Sequence, residues 1–324
     1  TRIVSAESTP WVMQRAFSIA KNGRPGAVFI DLPSDIALQP STMPTYKRSL
    51  ERHLSRPHSK AVAEAAGRIR KAKHPIIICG SGAVSSGAGE SLATLARHIG
   101  AALYTTPGGR GTYPEDHSLC LGQIGLYFTD AGKKYFDQSD LVISVGSRLE
   151  DFSTGGWSLW PPKAKFVQID IDPQAIGLNL RPDTALVGDA VLATADLLDT
   201  LDEKTADSAV QRCIAIEKIQ SRYVSKVERE LKKQSTPISG REVVGAINRV
   251  FGQNTILVHE NGGADLWSYY WPYYRVLDAG DCIPMGEQTA MGMGVIGAIA
   301  AKMAAPDKNV VCVTGDGAMQ MAMM

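Results

Sequence analysis

The sequence has no pair of cysteines at C-x-x-C spacing. Its five, Cys79, Cys120, Cys213, Cys282 and Cys312, are scattered along 324 residues. Paired-thiol motifs are therefore excluded, and three of the five sit in apolar stretches where a buried thiol is ordinary. A reducing, cytoplasmic setting is the expectation. No charged, apolar and small-residue series of the signal-peptide kind opens the chain. The longest apolar run, near Met291 to Ala305, is interrupted by Lys302 and by glycines, so it reads as a core helix and no membrane partner is expected. Charge of one sign is missing too: 34 basic residues face 33 acidic ones without a long like-charge block, and nothing favours nucleic acid. No internal repeat is evident. A small molecule or another protein is the partner class that remains.

What is present is an alternation of helix and strand patterns, in a chain long enough for about two domains. The chain starts at Thr1 without a Met and stops at Met324 in what reads as the first turn of a helix, the pattern expected of a chain cut at both ends. Thr9 and Pro10 open a helix that Gly23 stops. Ala27 to Ile30 reads as a buried strand, and the Pro- and Ser-rich stretch after Pro33 as a linker. Val62, Ala65, Ala66 and Ile69, and again Leu92, Leu95, Ala96 and Ile99, have helical spacing. Strands are expected at Ile76 to Cys79, Ala101 to Tyr104, Leu141 to Val145 and Phe166 to Ile169, with a helix from Val191. Repeated units of this kind imply an α/β fold with a doubly wound parallel sheet. The charged, Gly-free stretch Asp202 to Gln234 reads as a solvated helical connection. Ser239 and Glu242 then have capping-box spacing, followed by strands at Thr255 to Val258 and Val310 to Val313. The expected division is 1–40, a linker 41–58, a central domain 59–201, a connection 202–234 and a third domain 235–324.

The last strand runs into Thr314, Gly315, Asp316, Gly317 and Ala318. Glycines flanking an acid at a strand's carboxyl end let backbone amides approach a ligand, and the acid can hold a hard cation beside phosphate. The plain alternative is a strand-to-helix turn capped by Asp316. Upstream lies Gly286, Glu287, Gln288, Thr289, Ala290, Met291, Gly292, Met293, Gly294, then a small-residue helix and Ala305, Pro306, Asp307. In this order and at these distances the sequence resembles the diphosphate-binding domain of thiamine diphosphate enzymes. The resemblance implies that Met291 wedges between the cofactor's two rings, that the Thr289 carbonyl accepts from the aminopyrimidine, and that the Met291 amide donates to that ring. It further implies that Asp316 holds Mg²⁺ and that Gly315, Gly317 and Ala318 line the diphosphate. The ordinary reading of Met291 is core packing.

A second resemblance runs through the middle of the chain. Gly80, Ser81 and Gly82 follow a strand, which alone is a weak phosphate signal. Added to it are Thr105 to Gly111, Pro114 to His117, Leu121 to Gly125 with Ile124, Gly146 to Asp151, Asp170 to Pro173 with Ile171, and Gly188 with Asp189. Together they look like the central domain of the acetolactate synthase family, a Rossmann-like domain that binds FAD in a structural role. By that resemblance Gly80, Ser81 and Gly82 approach the FAD diphosphate, Thr105 the ribityl or adenosine region, Arg148 a phosphate or ring oxygen, and Asp170 and Asp189 the adenosine end, with Ile124, Gly125, Gly146 and Ile171 alongside. Arg148 reads equally well as a surface arginine paired with its neighbouring acids. His117 reads as a turn residue. Residues 1–40 resemble the end of the family's pyrimidine-binding domain.

Four positions depart from the family: Phe152 where Arg is usual after the paired acids, Phe128 for a glycine, and Gly263-Ala264 for a Gln-His pair that touches diphosphate. Backbone of Asn261, Gly262 and Gly263 would then take over that contact. The resemblance implies decarboxylation of a 2-keto acid such as pyruvate and carboligation to acetolactate, by a homodimer or homotetramer that can carry a regulatory subunit. The alternatives are another carboligase or decarboxylase of the superfamily, sulfoacetaldehyde acetyltransferase, a cyclic dione hydrolase, or a nucleotide-binding homologue without catalysis. The 324 residues alone are expected to be inactive, because the family's site needs a pyrimidine domain of which only the tail is here.

Overall fold

Pro75 to Cys79 carries no polar face, and a strand of that kind is stable only when both faces are covered. In the computed structural model, which describes residues 1–40, 42, 52–201, 207–233, 235–286 and 288–323, it sits inside a six-stranded, all-parallel sheet. The strands are β1 (Pro75–Cys79), β2 (Ala102–Thr105), β3 (Cys120–Gln123), β4 (Leu141–Val145), β5 (Lys165–Asp170) and β6 (Thr184–Val187), in the order β3-β2-β1-β4-β5-β6. This is the doubly wound order, and its direction reverses between β1 and β4, where such sheets open a ligand crevice. β3 and β6 are additions to the sequence reading. Each has four residues, and in β3 Gly122 adopts φ 93 where the register with β2 shifts, so neither leaves a strand pattern in the sequence.

Helices Ser59–Lys71, Gly89–Ile99 and Ala190–Thr200 cover the sheet, and the apolar residues at the expected helical spacings are buried in one core with it. A smaller parallel sheet follows, with β7 (Thr255–Val258), β8 (Cys282–Ile283) and β9 (Asn309–Cys312) in the order β8-β7-β9. The capping box of Ser239 and Glu242 opens helix Gly240–Phe251, as its spacing predicts.

Three expectations need correction. Ala27 to Ile30 forms no strand: a strand needs a ladder partner, and among the described residues the segment has beside it only the isolated bridge of Arg2 with Asp31, with Phe29 79% exposed. The small-residue helix, Met293–Ala304, is a core helix on one face only. It lays one face on β7 and β9 and exposes Ile296, Ile299 and Met303, because the three-stranded sheet covers only one side of it. The connection is not a solvated linker. Its helix Asp207–Leu231 places Ile216 in the core of the six-stranded sheet and Val227 in the core of the second sheet. The ring of Tyr223 stacks on Trp271, with centroids 5.8 Å apart. Residues 41 and 43–51 of the expected linker, 202–206 and 234 of the connection, Glu287 and Met324 lie outside the described residues.

The chain forms two compact units, Thr1–Arg56 and Pro57–Met324. Within the second, the domains of the two sheets are joined by charge as well as by packing. Arg110, in the loop after β2, is fully buried and pairs through two nitrogens with Glu115, at 2.8 and 2.7 Å. The remaining donors cross to the second domain: Nη1 donates to the Ser268 carbonyl (2.7 Å) and Nη2 to that of Tyr274 (3.1 Å). Glu115 in turn accepts from the Val276 amide at 2.8 Å. Burial works against the Arg110 charge, and the contact with Glu115 more than offsets it, so its pKa is raised. Removing one partner strands the other in a dry interface. Glu115→Ala should therefore lower the unfolding free energy by about 3–5 kcal/mol. Denaturant titration checks it, and a loss below about 1 kcal/mol would contradict the pair's role.

Candidate functional site

All three strands of the second sheet run parallel, so their carboxyl ends share one edge, the edge at which α/β sheets take ligands. Three loops leave it: His259 to Asp265 after β7, the stretch from Pro284 to Gly292 after β8, and Val313 to Gly315 after β9, which enters helix Asp316–Met321. Glu260 docks the first loop on the second. Its buried carboxylate accepts from the amides of Asn261 (2.7 Å), Gly292 (3.1 Å) and Gly294 (3.1 Å). Asn261 adds a bond from Nδ2 to the Thr289 carbonyl at 2.7 Å. Gly294 must be glycine here, because a Cβ would stand 2.6 Å from the His259 carbonyl oxygen.

The third loop closes the group. Met291 is half exposed, and its terminal methyl lies 3.7 Å from where a Cβ on Gly317 would be. A Cβ on Gly315 would touch Ala264 at 3.6 Å, whereas Cβ atoms on Gly262 or Gly263 would meet nothing within 4 Å. The carboxylate of Asp316 is exposed and accepts from the Gly317 amide at 2.9 Å, while Ala318 is buried. Thus Thr289, Met291, Gly262, Gly263, Gly315, Asp316 and Gly317, read as cofactor residues from sequence, come to one edge around open backbone. Among the described residues no group of three or more His, Cys, Asp or Glu is placed to hold a metal; Asp316 would be a single carboxylate ligand.

Below the loops lies a buried layer that sequence reading missed. His259 holds Asp265 through Nδ1 (2.9 Å), faces Arg110 Nη1 through Nε2 (3.3 Å) and stacks on Tyr269 with centroids 3.6 Å apart. Burial lowers its pKa, and Arg110 lowers it further, against the opposite pull of Asp265. A neutral ring fits these contacts, with Nδ1–H donating to Asp265 and Nε2 accepting from Arg110. The only sequence signal was a histidine and an acid placed directly after a buried strand.

The residues assigned to a nucleotide line the corresponding edge of the larger sheet. Gly80, Ser81 and Gly82 follow β1 and Gly146 and Arg148 follow β4, the two strands flanking the switch point. Thr105 ends β2, Ile124 and Gly125 follow β3, Asp170 and Ile171 lie at the end of β5, and Asp189 follows β6. Much of this edge is satisfied internally. A Cβ on Gly82 would stand 2.7 Å from Gly146 Cα, and one on Gly125 2.1 Å from the Phe152 carbonyl oxygen. Arg148 pairs with Glu150, Asp170 accepts from the Asp172 amide (2.9 Å), and Asp189 caps helix Ala190–Thr200. The imidazole of His117 accepts from the Leu119 amide at 3.2 Å, as befits a turn residue.

Two family profiles match the chain: the central domain of thiamine pyrophosphate enzymes over residues 62–198, and their C-terminal TPP binding domain over residues 262–324. The chain belongs to the thiamine pyrophosphate enzymes. Among its relatives, a probable acetolactate synthase large subunit of Methanocaldococcus jannaschii is 32% identical over 98% of this chain and 54% of that protein. An acetolactate synthase of Mycobacterium bovis is 30% identical over 98% of this chain and 52% of its own length. The acetolactate synthase isozyme 3 large subunit of Escherichia coli is 27% identical over 98% and 56%. The chain thus spans about half the length of the curated relatives it matches. Among the described residues no helix is long and apolar enough to cross a membrane.

In this thiamine pyrophosphate enzyme the buried histidine sets a pH dependence. Because the folded pKa of His259 lies below the ordinary 6.5, the unfolded chain takes up a proton, as pH falls through 6.5, that the folded ring refuses. Its contribution is therefore constant above pH 6.5 and destabilising below it, by about 1.4 kcal/mol per pH unit until the folded pKa is reached. Urea unfolding at pH 7.5 and 5.5 should show wild type losing more stability than His259→Gln, because only the wild-type unfolded chain gains a proton that its folded ring refuses. Equal losses would contradict a neutral buried ring.

Proposed function

We propose that the protein carrying this chain is a carboligase of the acetolactate synthase kind, which decarboxylates a 2-keto acid such as pyruvate and joins the retained fragment to a second carbonyl. The observation that carries this reading is the approach of Met291 to Gly317 beside the exposed Asp316, at an edge where Gly262 and Gly263 leave backbone open. Thiamine diphosphate, when bound, supplies the electron sink that lets a 2-keto acid lose CO₂.

The chain's own residues bind and orient. Gly315, Gly317, Ala318, Gly262 and Gly263 offer backbone to the diphosphate. Asp316 supplies a hard oxygen ligand for Mg²⁺ beside it. The Thr289 carbonyl, which has a second lone pair after accepting from Asn261, would accept a hydrogen bond from the aminopyrimidine. Met291, half exposed and close to Gly317, would pack against the rings of the cofactor and orient them. FAD, in a structural role, is the ligand proposed for the switch-point edge of the larger sheet, with Arg148 exchanging Glu150 for it. A cytoplasmic homodimer or homotetramer, with or without a regulatory subunit, is the proposed assembly. The Gly263-Ala264 departure keeps other 2-keto acid carboligases and decarboxylases of the superfamily as the alternative.

The test is an assay of the full-length protein with pyruvate, thiamine diphosphate and Mg²⁺. Acetolactate should form, and Asp316→Asn should weaken cofactor binding by about 10- to 100-fold, the effect of losing a charged contact. Cofactor binding without acetolactate would reject this substrate assignment, and unchanged binding by the variant would reject the role of Asp316.

A further inference from the structure

The loop that must offer Thr289 and Met291 to an aminopyrimidine has no helix or strand among its described residues. It leaves β8 at Ile283 and becomes helical only at Met293. Gly286, Thr289 and Gly292 adopt φ of 69, 46 and 87. A β-branched residue in the left-handed region is a strained choice, kept only where surrounding contacts fix it. Two adjacent side chains from the loop after β7 supply such contacts. The carboxylate of Glu260, 1% exposed, takes the amides of Gly292 and Gly294, one on each side of the helix start. The amide group of Asn261 takes the Thr289 carbonyl, and its own backbone N–H is held by Glu260. Among the described residues Glu260 makes no ion pair, so three backbone amides answer its buried charge.

We infer that Glu260 and Asn261 are positioning residues for the aminopyrimidine, acting through the Thr289 carbonyl and the Met291 backbone. The inference rests on the thiamine diphosphate reading above. Asn261 fixes the direction of the carbonyl and leaves one lone pair for the cofactor. Glu260 fixes the distance of the Met291 segment from β7. Charge-assisted bonds to backbone amides are strong and directional, so this clamp sets the loop's geometry before any ligand arrives.

The experiment compares Asn261→Ala, Asn261→Asp and Glu260→Gln with wild type in the full-length protein. It reads thiamine diphosphate affinity by calorimetry with Mg²⁺ present, the near-ultraviolet circular dichroism of the bound cofactor, and the thermal midpoint without cofactor. Asn261→Ala should bind about tenfold more weakly, the effect of one lost directional contact. Asn261→Asp, which sets a carboxylate against the carbonyl, should be weaker still. Both should alter the cofactor's dichroism while the cofactor-free midpoint stays close to wild type, because Asn261 is only partly buried. Glu260→Gln should reproduce the dichroism change, and if it does not fold the Asn261 variants decide. Unchanged affinity and dichroism in the Asn261 variants would overturn the inference. So would weaker binding that only follows a fallen midpoint with unchanged dichroism, since that is a scaffold effect. Absence of binding by wild type is a different result, which overturns the thiamine diphosphate reading itself.

Discussion

The guanidinium of Arg110 is the interaction on which the arrangement depends. It leaves the larger α/β domain, is neutralised there by Glu115, and spends its other donors on the Ser268 and Tyr274 carbonyls and the His259 ring of the second domain. Replacing a buried ion pair by well-packed apolar groups is often harmless to stability, so the pair does not explain why the protein folds. Its consequence is geometric. Three of its contacts point at fixed acceptors of the second domain, and the segment they hold, from His259 to Tyr274, includes the loop that carries Glu260 and Asn261.

From that anchor the order of positions runs outward. Arg110 faces His259, His259 holds Asp265, and Asp265 accepts from the Glu260 amide at 3.1 Å. Glu260 and Asn261 then hold the stretch from Thr289 to Gly294, where Met291 lies against Gly317. Helix Asp207–Leu231 reinforces the docking from the other side by burying residues in both cores. The site is thus a set of loops, individually irregular, tied to two sheets by a short series of buried polar contacts.

Much of this was legible in the sequence, for physical reasons. Strands such as β1 and β4 are apolar on both faces, and helices such as Ser59–Lys71 repeat their buried residues every three or four positions, so the α/β alternation shows without any structure. β3 and β6 were not legible because four residues with a glycine, or on a half-exposed edge, have no period to read. The segment Ala27 to Ile30 and helix Met293–Ala304 misled in the same way: apolar composition reports a capacity for burial, and only the neighbours decide whether burial occurs. At the site, glycines around Asp316 and the spacing back to Met291 were visible because backbone approach restricts residue type. Glu260, Arg110 and the side-chain role of Asn261 were not, since a charged or amide side chain near a strand end looks like an ordinary surface residue until its partners are known.

The account's central claim is that three loop ends of the second sheet form one thiamine diphosphate site. A crystal structure of the full-length protein grown with thiamine diphosphate and Mg²⁺ tests it most directly. The account predicts the metal on the Asp316 carboxylate, Met291 between the two rings, and the Thr289 carbonyl shared by the aminopyrimidine and Asn261. A cofactor bound elsewhere, or a metal without Asp316 among its ligands, would contradict it.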